Sequence, residues 1–350
     1  MDLYNNFVSA FNNRIGGFMN IYDVAKEAGV SIATVSRVLN DPSLVSEKTR
    51  TKVNEVLSKY NYTPNAIARG LVVKSMKTIG VLTIDIRDVY YANVAYTIEH
   101  EFSKYGYNVI LCNTGGDTEE KAKYLKILME KKVDGMILVG SVFKDKKLDK
   151  SIIGIAQSIP VVTVNGYVVS KNIYSIICDD TYGVLSCVEH LYNLGHKKLI
   201  YLQDADTFSA QSKVRGFLDG IKKFGLSPSD CKVIKTERGI DGGINAVNSL
   251  ADIGFDYTGL IAGEDITAIG ALNRLISLGR KVPDDVSVIG FNNSNMTRCC
   301  NPELTSVDNK MENMGIGAVR ILSDVLDGRN VPTKTLITPD LIIRSSTGKI

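Results

Sequence analysis

The chain reads as an α/β protein with a small all-helical unit in front, and three features say so. Residues 21–40, IYDVAKEAGVSIATVSRVLN, carry two helical apolar patterns broken at Gly29. From Thr78 onward, short β-rich runs alternate with amphipathic stretches, the pattern of parallel sheets covered on both faces. At 350 residues the chain is too long for one core, and so many βα units fit two doubly wound parallel sheets better than one wide sheet.

Residues 1–18 are Asn-rich and fit no element of the helical unit after them. Gly16-Gly17-Phe18 before Met19 is how a purine-rich ribosome-binding site reads when translated, so 1–18 is expected to be a disordered or untranslated tail, with synthesis starting at Met19. Ile21, Val24, Ala25 and Ala28 mark the inward stripe of a first helix. After Gly29, Ser31 can cap a second, with Val35 and Val38 inward and with small or polar residues around Arg37 on the open face. Two short helices joined by a tight turn form a helix-turn-helix, and a second helix without bulky outward side chains can lie in a DNA major groove. Taken alone, such a hairpin more often only packs. Asp41-Pro42 then makes a turn, and Ser46 caps a third helix to about Lys59, with Val53, Val56, Leu57 and Tyr60 inward. Pro64 ends this unit, and Asn65 can cap a short hinge helix over 66–71, too short to be stable by itself.

In the remainder, strands are expected at Ile79–Ile84, Asn108–Cys112, Gly135–Val139, Val161–Val164, Leu199–Leu202, Cys231–Ile234, Gly259–Ala262 and Val286–Ile289. Helices are expected at Val94–Tyr105, Lys121–Lys131, Tyr182–Leu194, Val214–Phe224 and Thr267–Leu278. Such sheets bind ligands at the carboxyl ends of their strands, and two facing lobes make a cleft. Tyr90, Tyr91, Asp179, Glu264, Asp265, Asn292 and Asn293 fall at such ends, and their aromatic faces and polar groups suit a sugar-like ligand. For Asp180 and Asp265 helix capping is the preferred role.

Composition narrows the function. The chain is 44% hydrophobic and 23% charged with a net charge of +3, an ordinary globular balance. From Met19 to Lys77 nine basic residues face five acidic ones, so the positive charge sits on the helix-turn-helix segment, as attraction to phosphates requires. No apolar run reaches membrane length and no secretory leader is evident, so a cytoplasmic protein without a membrane partner is expected. The six cysteines form no CxxC pair, and neither disulfides nor a metal site is expected; Cys299-Cys300 reads as two small loop residues. His190 and His196 flank a helix end and read as structural, and Gly115-Gly116 reads as a turn. No GxSxG, Walker A, HExxH or strand-borne GxGxxG occurs, so neither an enzyme nor a cofactor is expected.

Ile21-Tyr22-Asp23-Val24-Ala25, Gly29-Val30-Ser31, Thr34 through Asn40 and Pro64-Asn65 through Leu71 resemble the signature of the lactose repressor and galactose repressor family of bacterial transcription regulators. Further matches are Val133-Asp134-Gly135, Leu194-Gly195-His196, Val282 through Phe291, Pro302 through Val307 and Arg344-Ser345-Ser346, so the resemblance runs from Met19 to the C-terminus. It implies a headpiece over 19–63, a hinge over 64–77, and a two-lobed, periplasmic-binding-protein-like domain. One lobe would comprise 78–177 and 307–336, the other 178–306 and 337–350. It implies a homodimer, a palindromic operator and a small-molecule effector, a sugar or sugar derivative. Ile32, Ala33 and Arg37 would face base edges; Tyr22, Ser31, Thr34, Ser36, Asn40 and Asn65 would touch phosphates; Ala68 and Leu71 would enter the minor groove, Leu71 as a wedge. The effector cleft would draw on Ile84, Asp88, Tyr90, Tyr91, Asp179, Lys213, Arg238, Glu264 and Asn292. Many members carry an arginine at the position of Lys213 and an aspartate at that of Asn292, and those two departures break the family's clamp for an ordinary hexose. The segment ATVSRV, PNAIARGL and Lys213 also resemble the catabolite control branch, whose corepressor is a serine-phosphorylated phosphocarrier protein docking on Met311, Glu312, Asn313 and Arg320. Glu312 opposes that second reading by charge. A periplasmic-type sugar receptor, a third reading, is opposed by the helix-turn-helix.

Overall fold

The computed structural model describes residues 19–62 and 75–350, in two units that divide near Met76. The tail 1–18, the hinge helix over 66–71, and with it Asn65, Ala68 and Leu71, lie outside the described residues.

The first unit holds α1 (Ile21–Ala28), α2 (Ile32–Asn40) and α3 (Glu47–Lys59). Each starts on a side-chain cap: Asn20 accepts from the amides of Tyr22 and Asp23, Ser31 from that of Thr34, and Ser46 from that of Thr49. Asp23 accepts from the Asn20 amide in return, completing a capping box. Gly29 ends α1 at φ +61°, a conformation that costs glycine little, and so lets α2 start three residues later. Val24, Ala25, Ala28, Val35, Val38, Val53 and Val56 form the core. Tyr60, expected inward, is exposed; its hydroxyl donates to Glu27, which also takes an ion pair from Lys59. A phenol hydroxyl needs a partner, and the rim of so small a core supplies one where its centre does not.

The second unit is two α/β lobes. The first sheet contains β1 (Thr78–Thr83), β2 (Asn108–Asn113), β3 (Gly135–Val139), β4 (Val161–Val164), β5 (Ile173–Cys178) and β11 (Lys334–Ile337), in the order β11-β5-β4-β3-β1-β2, all parallel. The second contains β6 (Leu199–Gln203), β7 (Cys231–Lys235), β8 (Gly259–Ala262), β9 (Ser287–Phe291), β10 (Thr305–Asp308) and β12 (Asp340–Ile342), in the order β12-β10-β9-β8-β6-β7, parallel apart from β12. Both are doubly wound, with the switch of direction beside β1 or β6. Crossover helices α4 (Val89–Lys104), α5 (Thr118–Glu130) and α6 (Lys146–Ala156) serve the first sheet. Helices α7 (Asp180–Asn193), α8 (Phe208–Lys223), α9 (Ile240–Asp252) and α10 (Asp265–Ser277) serve the second. Helix α11 (Met311–Leu326) returns to the first lobe, where Met314, Ala318 and Leu322 join its core.

The chain therefore passes between lobes three times, after Cys178, after Asp308 and after Ile337. The expected change of lobe at 307 falls inside β10, whose Val307 and Asp308 pair with β9 or β12 in the second sheet, so the crossing moves outward. Most expected strands stand within a residue of their bounds, and the expected Val286 start moves to Ser287 with the end at Phe291. The helices begin two to six residues earlier than the apolar periodicity suggested; side-chain caps at Asp88, Asp117, Asp179 and Thr207 set four of those starts ahead of the regular apolar stripe.

Gly242-Gly243 lies inside α9 against helix propensity, and packing explains it. A Cβ at Gly243 would sit 2.1 Å from the Thr267 carbonyl oxygen, and one at Gly270 would sit 2.1 Å from that of Ile240. Helices α9 and α10 thus meet backbone to backbone, which brings the start of α9 to the start of α10. Gly243→Ala must push the helices apart and is expected to cost about 1–3 kcal/mol of stability, read from urea denaturation of the purified chain.

Candidate ligand cleft and DNA-reading face

The carboxyl ends of both sheets face one another. From the first lobe, the turn after β1 supplies Asp88 and the first turn of α4 supplies Tyr90 and Tyr91, while Gly140 and Ser141 follow β3. From the second, Asp204 follows β6, Arg238 stands after β7, Glu264 follows β8, and Asn292 follows β9. The space between them is narrow in its inner part, about 60 Å³, and opens beside Asp85, Asp88, Ser294 and Met311 to about 430 Å³, within the size range of small-molecule sites.

Arg238 joins the two walls. Its Nε donates to Glu264 Oε2 at 2.8 Å, its Nη2 donates to the other Glu264 oxygen, and the same Nη2 pairs with Asp88 Oδ2 at 2.8 Å on the opposite lobe. Burial raises the Glu264 carboxyl above its ordinary range, helped by Asp204, while Arg238 and Lys213 pull it back. Tyr91 is buried with its phenol pushed up, chiefly by desolvation, and Tyr90 packs edge-on to it at 5.3 Å. A Cβ at Gly140 would lie 2.6 Å from the Tyr91 ring, so the turn after β3 closes directly on that ring.

Lys213 does not reach out as a free clamp. Its Nζ donates to the Gly263 carbonyl at 2.7 Å and lies 3.8 Å from the centre of the Phe291 ring. Asn292 adopts φ +103°, rare for a residue with a Cβ, and is held there by its amide on Val307 and by Asn309 Nδ2 donating to its Oδ1 at 2.8 Å. Its side chain is thus oriented before any ligand arrives.

Of the nine residues assigned to the cleft, Asp88, Tyr90, Tyr91, Lys213, Arg238, Glu264 and Asn292 line it, whereas Ile84 and Asp179 do not. Ile84 packs against the first-lobe core, since it directly follows β1, a central strand buried on both faces. Asp179 is the N-cap of α7, its Oδ1 accepting from the Tyr182 amide at 3.0 Å. The capping expected of Asp180 therefore belongs to its neighbour, and Asp180 is instead buried and takes a hydrogen bond from Ser209. Asp265 does not cap α10 either: it accepts from the Ser294 amide and the Ser306 hydroxyl, tying α10 to the ends of β9 and β10. Asp204, Asn165 and Asn309 also line the cleft. The strand-end rule reaches Asp204 from sequence, but Asn309 follows β10, a strand too short and polar to read.

In the first unit, Ser31, Ile32, Ala33 and Arg37 are exposed on one face of α2, with Thr34 and Ser36 half-buried beside them. Tyr22 is exposed on α1, and Asn40 ends α2. Exposing an isoleucine next to an arginine on a helix of small residues leaves a shallow face for a major groove. His196, buried, bonds Thr258 and the Gly348 carbonyl, the structural role expected of it. Among the described residues, no cluster of His, Cys, Asp and Glu is arranged to hold a metal, and no helix is long and apolar enough to cross a membrane.

A helix-turn-helix unit joined to a two-lobed domain with three crossings and a polar interlobe cleft defines a ligand-controlled DNA-binding regulator. Residues 20–65 match the model for bacterial regulatory proteins of the lacI family, and residues 188–347 match that for a periplasmic binding protein-like domain. An HTH-type transcriptional regulator from Lachnoclostridium phytofermentans is 41% identical over 94% of this chain and 99% of its own length. Catabolite control protein A of Priestia megaterium is 33% identical over 94% of the chain and 99% of its own. The crystal structure of the lac repressor dimer bound to operator and the anti-inducer ONPF superposes with a TM-score of 0.83 at 26% identity, covering 94% of this chain and 99% of that one. The chain belongs to the lacI family and is a DNA-binding transcriptional regulator.

The buried Asp265 carboxyl titrates near 6 instead of its ordinary 3.8, raised by desolvation against the bonds from Ser306 and Ser294. The native state then holds a proton that the unfolded state releases, so this group favours folding below about pH 3.8 and loses that contribution as pH rises to about 6. Asp265→Asn is expected to flatten the fall in urea midpoint between those pH values; an unchanged slope would assign it to other groups.

Proposed function

We propose that the chain is a homodimeric repressor that holds a palindromic operator and releases or grips it according to a small ligand in the interlobe cleft. The observation that carries this reading is the Asp88–Arg238 bridge, which spans the two lobes inside the cleft and which a ligand must replace or reinforce. On this reading Ile32, Ala33 and Arg37 read bases. Tyr22, Ser31, Thr34, Ser36, Asn40 and Asn65 hold phosphates, and Ala68 and Leu71 act from the hinge in the minor groove. Residues 64–77 are then the linker through which lobe movement reaches the DNA. Arg238, Glu264, Asp88, Lys213 and Asn292, with Tyr90 and Tyr91 behind them, make the effector site, and a sugar or sugar derivative suits its mixture of aromatic and polar groups. The chain acts in the cytoplasm without catalysis. Ligand and operator affinities are coupled reciprocally, by roughly 1–3 kcal/mol in typical cases.

A second reading, control by a phosphorylated carrier protein, is favoured by the likeness to catabolite control protein A and by the exposure of Glu312, Asn313 and Arg320 on α11. The carboxylate of Glu312 on that face works against a phosphoprotein.

Selection from random duplexes at fixed salt tests the reading. A palindrome is expected; Arg37→Ala should relax one position per half-site at a cost of about 1–3 kcal/mol, and Leu71→Ala should erase the central preference. Recovery of no motif without a carrier protein, and of one with it, would transfer support to the second reading.

A further inference from the structure

The cleft is short of free positive charge and rich in acceptors. Asp88, Asp204, Glu264 and Asp265 line it, and its two inner cations are already engaged. Arg238 is shared between Glu264 and Asp88, and Lys213 is spent on a carbonyl and an aromatic ring. At the rim Arg87 is paired with Asp85 at 2.7 Å. Asp204, only 8% exposed, accepts from Thr267 and, among the described residues, makes no ion pair. An anionic ligand could take Arg238 only if that residue abandoned Glu264 or Asp88, leaving a carboxylate of the cleft unpaired, and could take Lys213 only at the cost of its bond to the Gly263 carbonyl.

An independent observation points to a ligand with donors. Asn309 is 2% exposed and Tyr90 8%; both line the cleft, and Asn309 Oδ1 and Tyr90 Oη have no hydrogen-bond partner. A buried carbonyl oxygen without a donor is costly, and the Asn309 amide is already fixed by Asn292. What the site lacks is a group with several N–H donors and a positive charge, whereas Tyr90, Ser209 and Asn165 can serve ligand hydroxyls.

Taking the cleft as the effector site proposed above, we infer that its ligand is a polyhydroxylated amine, an amino sugar, in place of the neutral or acidic sugar. Its ammonium lies among Glu264, Asp204 and Asn309, and one of its hydroxyls can insert between Asp88 and Arg238, donating to the carboxylate and accepting from the guanidinium.

Calorimetric titration of the full chain at pH 6.5 with 6-amino-6-deoxyglucose, glucosamine, glucose and glucuronate tests this. At least one amine is expected to bind about ten-fold more tightly than glucose, with glucuronate weakest. Asp204→Asn is expected to narrow the gap between amine and glucose; should that variant not fold, the wild-type comparison decides. Glucose or glucuronate equalling the better amine, or no amine binding at millimolar concentration, overturns the inference. Operator selection on the same preparation separates the two failures: a palindrome with no amine binding removes the amino sugar alone. Amine binding that leaves operator affinity unchanged removes the cleft as the effector site.

Discussion

Everything in the ligand domain converges on one guanidinium held by carboxylates from both lobes. A charged fork taken out of water is unfavourable unless its donors are met, and Arg238 meets that condition only while Glu264 lies beside it and Asp88 faces it. The Glu264 contact belongs to one lobe and persists whatever the lobes do. The Asp88 contact exists only when they approach, so it ties the relative position of two otherwise separate cores to the contents of the cleft.

The fold supplies this arrangement by means that lie far from the cleft in sequence. Glycines at 243 and 270 let α9 and α10 touch through their backbones, which sets Arg238 against Glu264. Asp265 ties the start of α10 to Ser294 and Ser306, and Asn309 holds Asn292 in its unfavourable backbone conformation. The walls are therefore tied within their own lobe, and on the proposed function the three crossings leave the relative movement of the lobes as the coordinate a ligand acts on. A regulator needs that combination: a site stiff enough to discriminate ligands, on a frame that has two positions.

Much of this was legible in the chain. Periodicity located the three headpiece helices almost to the residue, and for α2 and α3 the Ser31 and Ser46 caps leave little freedom in where they begin. The β-rich runs located the inner strands, since a strand covered on both faces is apolar at every position. The edge strands β11 and β12 were not legible, being short and half-exposed, and with them went the exact points where the chain changes lobe. In the cleft, position after a strand pointed to Tyr90, Glu264 and Asn292 and reaches Asp204 when applied to β6, but the same rule misassigned Asp179, which caps a helix, and could not reach Asn309 behind the unread β10.

The sequence by itself determined the order of elements, the class of fold and the face of α2 left exposed, because these depend on local periodicity and capping. Only the tertiary structure decided which polar residues share a site and which partners they keep. Asp88, Arg238 and Glu264 are far apart along the chain, and whether a carboxylate ends as a cap, a tie or a ligand contact depends on which donors the packed helices bring within hydrogen-bond distance, a property of three-dimensional neighbours that no stretch of sequence contains.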